Sequence, residues 1–150
     1  MDAIVKDIMT RDITAVEETY TMLKTTQVLA AKHYSGVPVV DKDNRVIGFI
    51  SVKDILLSQF PERIKSIGSF SIKDYLNLAR QYDYVGESKV INFMNTKPVT
   101  VTEKEPLSKV IKMVAEDGIK IIPVVRDGEY IGVVERIELC RYLMEKRIKL

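Results

Sequence analysis

A hydroxyl, a cation and a carboxylate lie close together in the segment Ser51-Val52-Lys53-Asp54, where an apolar strand pattern gives way to a helix pattern. The serine hydroxyl and the free backbone N–H groups of a first helical turn suit an anion such as phosphate, and Lys53 adds a positive charge nearby. The same Ser-x-x-Asp spacing is close to that of a helix capping box, in which the two side chains satisfy exposed backbone groups. The residue types alone leave both interpretations open.

The remainder of the chain offers few groups for catalysis or metal binding. His33 is the single histidine, so neither a Ser-His-Asp arrangement nor a histidine metal site is easily assembled. Cys140 is the single cysteine, which excludes an intramolecular disulfide, and we expect it to be a small buried hydrophobe. The sequence therefore predicts a protein with no metal, no cofactor and no enzymatic activity.

The composition is that of a folded domain in a reducing compartment. The 150 residues are 46% hydrophobic and 29% charged, with a net charge of +2. Basic and acidic residues alternate, whereas a protein that binds a nucleic-acid backbone normally has a basic stripe. No apolar run in the sequence approaches the ~20 residues that span a membrane, and the N-terminus lacks a signal-peptide core. We therefore expect a soluble, cytoplasmic protein with no nucleic-acid or membrane partner.

The second half of the chain repeats the first. The recurrences are Met9 as Met94, Pro38 as Pro123 and Val39-Val40 as Val124-Val125, all at a spacing of 85, and Ile47-Gly48 as Ile131-Gly132 at a spacing of 84. Each repeated unit is one supersecondary element that cannot bury its own apolar face. The two copies are therefore expected to pack on each other, and the cleft between them is the natural place for a ligand.

Each copy has the pattern of a β-α-β-β-α unit. In the first copy the predicted elements are a strand over 13–15, a helix over 21–34 that stops at Gly36, strands over 37–40 and 46–50, and a helix that starts near Ser51. In the second they are a strand over 99–101, a helix from Pro106 to a stop at Gly118, strands over 121–125 and 130–134 around an Asp127-Gly128 turn, and a helix over 136–148. Pro38 and Pro123 are expected among the first residues of their strands. The predicted organisation is a first repeat over 1–57, an insert over 58–89 with a helix over 72–82, and a second repeat over 90–150.

Two such copies, each with a hydrophobic-Pro-Val-Val strand and an Ile-Gly strand, resemble a tandem pair of cystathionine-β-synthase (CBS) domains. The first copy ends in Gly48-x-x-Ser51-x-x-Asp54, which is similar to the Gly-x-x-Ser/Thr-x-x-Asp motif of that family. The resemblance implies an α/β (α+β) fold of two pseudo-symmetric repeats. It also implies a regulatory module that binds an adenosine-containing ligand between the repeats: AMP, ADP or ATP foremost, with S-adenosylmethionine or NAD as further possibilities. A homodimer that acts on another protein in trans is the implied assembly.

The resemblance assigns a role to each polar residue of the first motif. Asp54 is the implied ribose clamp, because a carboxylate offers two acceptor oxygens to two hydroxyl donors. Ser51 and Lys53 are implied at the phosphate, and Lys120 is at a position from which some family members reach phosphate. The base is implied to lie against the other copy, at Thr100, Ile121, Ile122 and Pro123.

The second copy departs from the motif, because Glu135 and Glu138 stand where the first copy has Ser51 and Asp54. A carboxylate there would repel a phosphate at close range. The weaker second site that these glutamates would share with Thr14, Val37 and Pro38 is therefore expected to be empty or to take an uncharged or cationic ligand. We predict one good nucleotide site per chain.

A second hypothesis belongs to a different class. The chain would be a structural or scaffolding homodimer without a physiological small-molecule ligand, and Ser51 and Asp54 would act only as a helix cap. Apolar residues of the last helix, Ile137, Leu143 and Met144, permit such self-association.

Overall fold

A computed structural model describes residues 3–59 and 71–145. The first copy contains β1 (Val16–Glu17), α1 (Met22–Lys32), β2 (Gly36–Val40), β3 (Val46–Ser51) and α2 (Val52–Leu57). Helix α3 (Ile72–Glu87) follows, and the second copy contains β4 (Val101–Thr102), α4 (Leu107–Asp117), β5 (Ile121–Arg126), β6 (Glu129–Glu135) and α5 (Arg136–Glu145). Short 3-10 turns at Val5–Asp7 and Val90–Asn92 precede the two copies. Within these ranges no helix is long and apolar enough to cross a membrane.

The strands form two three-stranded sheets with the same topology, in the orders β1-β2-β3 and β4-β5-β6. In each sheet the short first strand is parallel to the second, and the second is antiparallel to the third. The registers also correspond, since Val16 lies opposite Val39 and Val101 lies opposite Val124. The predicted α/β architecture of two pseudo-symmetric repeats is confirmed.

The two short strands were predicted slightly too early, at 13–15 and 99–101, and the prolines explain why. The next pair of the parallel ladder before Val16 and Val101 would be opposite Pro38 and Pro123. Proline has no N–H to donate to a ladder, so the strands begin only beyond it. Both prolines are the third residue of their strand, after Gly36-Val37 and Ile121-Ile122, and so lie near the strand start as expected.

Residues with a positive φ end helices α1 and α4 and form the hairpin turn between β5 and β6. The predicted stop of α4 at Gly118 is confirmed, with φ at 66°, and the Asp127-Gly128 turn has the two positive φ angles of a tight hairpin. Helix α1 does not stop at Gly36 as predicted. It ends at His33, which adopts the left-handed conformation with φ at 58°, whereas Gly36 begins β2. A Cβ at Gly36 would lie 2.6 Å from the Phe49 ring, so glycine is needed there for close packing.

The two copies exchange their N-terminal segments. Val5 and Ile8 pack into the core of the second copy, whereas Val90 packs into the core of the first. The backbone follows the same exchange, because Val5 N–H donates to the Glu105 carbonyl and Val90 N–H donates to the Tyr20 carbonyl, both at 2.9 Å. Each copy is therefore completed by a segment of the other, as expected for units that cannot bury their apolar faces alone.

The repeated Ile-Gly pairs are explained by this exchange. A Cβ at Gly48 would overlap the Met94 side chain, and a Cβ at Gly132 would lie 2.6 Å from the Thr10 carbonyl oxygen. Both glycines thus leave room for the segment that arrives from the other copy.

Helix α3 of the insert extends to Glu87, beyond the predicted end at residue 82. Two contacts stabilise the C-terminal part of this helix. Val85 is buried in the core of the first copy, and the Tyr82 hydroxyl donates a hydrogen bond to the Leu56 carbonyl. Helix α5 is described as far as Glu145, and its predicted end at residue 148 lies outside the described residues. The prediction for Cys140 was wrong, because its side chain is exposed while the neighbouring Leu139 faces the core.

Candidate functional site

A cleft of about 1070 Å³ lies between the two copies. The first copy contributes the end of α1, part of β3 and the first turn of α2, and the second contributes the residues around the start of β5. The cleft brings together six of the predicted binding residues, namely Ser51, Lys53 and Asp54 from the first copy and Lys120, Ile121 and Pro123 from the second.

Two other predicted residues are not part of this wall. Ile122 is fully buried in the core of the second copy, and Thr100 is half-buried. The alternation of a strand accounts for Ile122, because successive side chains point to opposite faces. Since Ile121 and Pro123 line the cleft, the residue between them must face the core.

The capping box at the start of α2 is fully formed. The Ser51 hydroxyl oxygen accepts a hydrogen bond from Asp54 N–H at 3.0 Å, and Asp54 Oδ2 accepts one from Ser51 N–H at 3.2 Å. Among the residues that the structure describes, Asp54 Oδ1 has no hydrogen-bond partner. The Ser51 hydroxyl also keeps its proton for donation, because in the cap it acts only as an acceptor. Capping and ligand binding are therefore compatible at the same two residues.

The surrounding backbone fixes the position of this helix start. Val52 N–H donates to the Ser35 carbonyl at 2.9 Å, so the connection between α1 and β2 lies against the first turn of α2. The second copy repeats the bond between Arg136 N–H and the Lys120 carbonyl, also at 2.9 Å. The positions of Ser35 and Lys120 thus correspond in the two copies.

Several cleft residues were missed by the sequence reasoning. Phe49 belongs to the wall together with Asn95, and the two residues exchange backbone hydrogen bonds at 3.0 and 2.8 Å. The period of two along β3 places Phe49 on the same face as Ser51, so this residue was detectable in the sequence. The contribution of Asn95 depends on the exchange of segments and has no local signal. His33 and Tyr34 at the end of α1 were also missed.

The residues predicted for a weaker second site have a different character. Glu135 is half-buried, and burial together with the neighbouring Glu138 raises the pKa of its carboxyl group. Glu138 accepts hydrogen bonds from Arg141 Nη2 at 2.5 Å and Nε at 3.0 Å. Val37 is fully buried in the core of the first copy, Pro38 is buried and Thr14 is exposed. The second copy thus carries the carboxylates of Glu135 and Glu138 where the first copy carries the hydroxyl of Ser51 and the carboxylate of Asp54.

The sequence and the fold both match known proteins. The model of the CBS domain family matches residues 5–59 and 88–145. The chloroplastic CBS domain-containing protein CBSX1 of Arabidopsis thaliana is 26% identical over an alignment of 156 positions, which covers 94% of this chain and 64% of that protein. The chain therefore spans less than two thirds of the length of this relative.

Solved structures agree with the fold. CBSX2 of Arabidopsis thaliana in complex with AMP superposes with a TM-score of 0.74 and 23% identity, and the match covers 97% of this chain and 99% of that one. A CBS domain-containing protein of Bacillus anthracis has a TM-score of 0.74 at 22% identity, covering 95% of this chain and 94% of that one. Because both repeats match the family model, the chain belongs to the CBS-domain family and is a tandem pair of CBS domains.

Proposed function

We propose that this CBS pair is a regulatory module that binds an adenine nucleotide in the cleft between its repeats. The observation that carries the proposal is the composite wall, in which Ser51, Lys53 and Asp54 of one copy share a cleft with Lys120 and Ile121 of the other. A ligand that contacts both copies links their relative position to its own binding, which is what a sensor requires. The AMP complex of the structurally similar CBSX2 supports this choice of ligand.

The chemistry of the wall matches the three parts of a nucleotide. Within the described part of the chain, one carboxylate oxygen of Asp54 is free for the ribose hydroxyl groups, and the Ser51 hydroxyl with Lys53 offers a donor and a cation for phosphate. Ile121 and Pro123 provide an apolar surface for the base. The volume of about 1070 Å³ accommodates a ligand of this size, since small-molecule sites are typically ~300–1,000 Å³.

Isothermal titration calorimetry with AMP, ADP, ATP, S-adenosylmethionine and NAD tests the proposal. In Asp54→Asn the amide oxygen can still accept from Ser51 N–H, so the cap is retained while the negative charge and one acceptor are lost. We expect the affinity for the best nucleotide to fall roughly tenfold or more, the effect of losing a hydrogen bond to a charged group. Asp74→Asn is the matched control, because Asp74 forms the same capping box with Ser71 at the start of α3.

Two results would contradict the proposal. The first is the absence of binding for all five compounds to the wild-type protein. The second is an affinity in Asp54→Asn equal to that of the wild type, with the Asp74→Asn control also unchanged.

A scaffolding homodimer without a small-molecule ligand is the second candidate, favoured by the complete capping box at Ser51 and Asp54. Self-association is supported by the exposure of apolar residues on α5, since Ile137 is 67%, Leu143 51% and Met144 79% exposed. A homodimer is compatible with nucleotide binding as well. Light scattering that reports the mass of one chain would refute the dimer, and calorimetry as above separates the two functions.

We also propose a binding rather than a catalytic role, and a reducing compartment such as the cytoplasm. The thiol of Cys140 is exposed and unpaired, as is usual for proteins that reside where thiols are kept reduced. The regulated partner would be a separate protein that responds to the occupied cleft.

A further inference from the structure

Two connections cross from one copy to the other at equivalent positions. Thr10 and Asn95 each exchange two backbone hydrogen bonds with a strand of the copy on which they pack. Beyond them the chain returns to its own copy through residues 11–15, the first linker, and 96–100, the second linker, which end at β1 and β4. The spacing of 85 relates the two linkers residue by residue. Differences between them therefore arise from their residues and not from the topology.

The first linker is fastened to the second copy at its middle. Ile13 is buried and packs in one cluster with Ile121 and Val133 of that copy. The Ile13 carbonyl also accepts a hydrogen bond from the Tyr130 hydroxyl at 2.5 Å. Burial raises the pKa of the Tyr130 phenol, so the hydroxyl keeps the proton that it donates. Apolar packing and a hydrogen bond thus act at the same residue.

An ion-pair network fastens the start of the same linker. Arg11 Nη2 lies 3.6 Å from Glu103 Oε2 in the second copy. The other oxygen, Oε1, accepts a hydrogen bond from Arg126 Nε at 2.9 Å and lies 2.7 Å from Arg126 Nη2. Glu103 Oε2 is buried and has no hydrogen-bond partner in the described ranges, so the nearby charge of Arg11 compensates for its lost hydration. Arg11 therefore ties the first linker to the second copy at a further point.

The equivalent positions around the second linker cannot form these contacts. By the spacing of the repeat and the strand registers, the counterparts of Ile13, Tyr130, Arg11 and Arg126 are Pro98, Val46, Thr96 and Asp41. Valine has no hydroxyl to donate, and threonine carries no charge. Within the described part of the chain, no hydrogen bond or ion pair joins the second linker to the first copy. The second linker therefore lacks the fastening of the first.

The unfastened linker is also the one that borders the cleft. Pro98 and Val99 line the cleft beside Asn95. Pro98 is half-buried, whereas its counterpart Ile13 is buried, and Val99 is 51% exposed. An apolar side chain in this position becomes buried if the linker closes over an occupied cleft, which favours closure.

We propose that the second linker is a mobile strap that opens and closes the cleft, whereas the first linker is held to the second copy by Tyr130 and Arg11. The inference goes beyond the proposed function, because it concerns the movement of the free protein and applies to any ligand of the cleft. The two repeats are then alike in fold but different in mobility.

Nitrogen-15 relaxation and relaxation dispersion of the free protein measure the mobility of each backbone N–H and test the proposal. In the wild type we expect order parameters of about 0.85 and no microsecond-to-millisecond exchange at Ile13 and Thr14. At Val99 and Thr100 we expect order parameters below about 0.6, or such exchange. Equal mobility of the two linkers in both measurements would overturn the proposal, and so would a first linker more mobile than the second.

Loss of the fastening contacts should make the first linker mobile. Tyr130→Phe removes only the hydroxyl, and Arg11→Thr introduces the residue that stands at the equivalent position of the second linker. In the double variant the first linker should become as mobile as the second, and the second should not change. Tyr84→Phe is the matched control, because this tyrosine is 79% exposed on α3 and its substitution should affect neither linker. A first linker that stays rigid in the double variant would overturn the proposal.

Discussion

Replacement of Asp54 by alanine separates the role of this residue in the helix cap from its proposed role in ligand binding, because the two affect different quantities. The substitution removes the acceptor of Ser51 N–H at 3.2 Å but leaves the bond from the residue 54 N–H to the Ser51 hydroxyl oxygen at 3.0 Å. Half of an exposed capping box is lost, so we expect the free energy of unfolding to fall by about 0.5–1 kcal/mol. For a chain of this size, the melting temperature of the free protein should fall by about 1–3 °C.

The effect on the ligand-bound protein should be larger. At a concentration of 100 times the dissociation constant, a nucleotide adds ~2.7 kcal/mol to the stability of the wild type, which corresponds to a rise of about 5–11 °C. Loss of a hydrogen-bonded carboxylate weakens binding by roughly tenfold to a hundredfold. The same concentration then adds only about 0.4–1.4 kcal/mol, a rise below about 6 °C.

Differential scanning calorimetry with and without nucleotide measures both effects, and Asp74→Ala is the control. Asp74 accepts from Ser71 N–H at 3.2 Å in an equivalent capping box and is not among the residues of the cleft. This control should lower the melting temperature of the free protein at least as much, because the Ser71 hydroxyl also donates to Asp74 at 2.8 Å, and it should keep the full ligand-induced rise. If Asp54→Ala also kept the full rise, Asp54 would be a helix cap only, and the ribose clamp would be refuted.

Two further predictions test the packing and the electrostatics. Gly132→Ala should lower the free energy of unfolding, measured in urea, by about 1–3 kcal/mol. The loss should exceed that of Gly48→Ala, because a Cβ at residue 132 would meet the Thr10 backbone carbonyl, whereas a Cβ at residue 48 would meet the flexible side chain of Met94. Equal losses for the two variants would contradict this explanation. The raised pKa of Glu135 means that the folded state binds its proton more tightly than the unfolded chain, so stability falls as pH rises above 4.5. Glu135→Gln should remove that fall. Its free energy of unfolding should exceed that of the wild type by less than ~1 kcal/mol at pH 7, because solvent screens this half-buried group, and should equal it at pH 4. A lower free energy of unfolding at pH 7 would contradict the raised pKa.

The features predicted from the sequence are those with local signals. The 85-residue spacing of Pro38 and Pro123 predicted the paired repeats, and the positive-φ residues Gly118 and Gly128 lie where a stop and a turn were expected. The start of α2 at Ser51 followed from its Ser-x-x-Asp spacing. Such features depend on residues within a few positions of each other, so a single sequence contains enough information.

The features that could not be predicted depend on contacts between distant residues. The pairing of Thr10 with Val133 and of Phe49 with Asn95 joins each copy to the segment of the other, and no local pattern indicates it. His33 was not recognised as a helix end because the nearby Gly36 is the more usual stop, yet tertiary packing against Phe49 requires that glycine inside β2. The asymmetry between the two copies was visible in the sequence, because Glu135 and Glu138 stand where the first copy has Ser51 and Asp54.

A crystal structure of the protein grown with ATP is the most direct test of the central claim, that one nucleotide binds per chain between the repeats. The prediction is density for one nucleotide in the cleft, with its ribose at Asp54 and its phosphates toward Lys53 and Lys120. Density beside Glu138 instead, or a cleft without nucleotide at concentrations that saturate binding in solution, would contradict the claim.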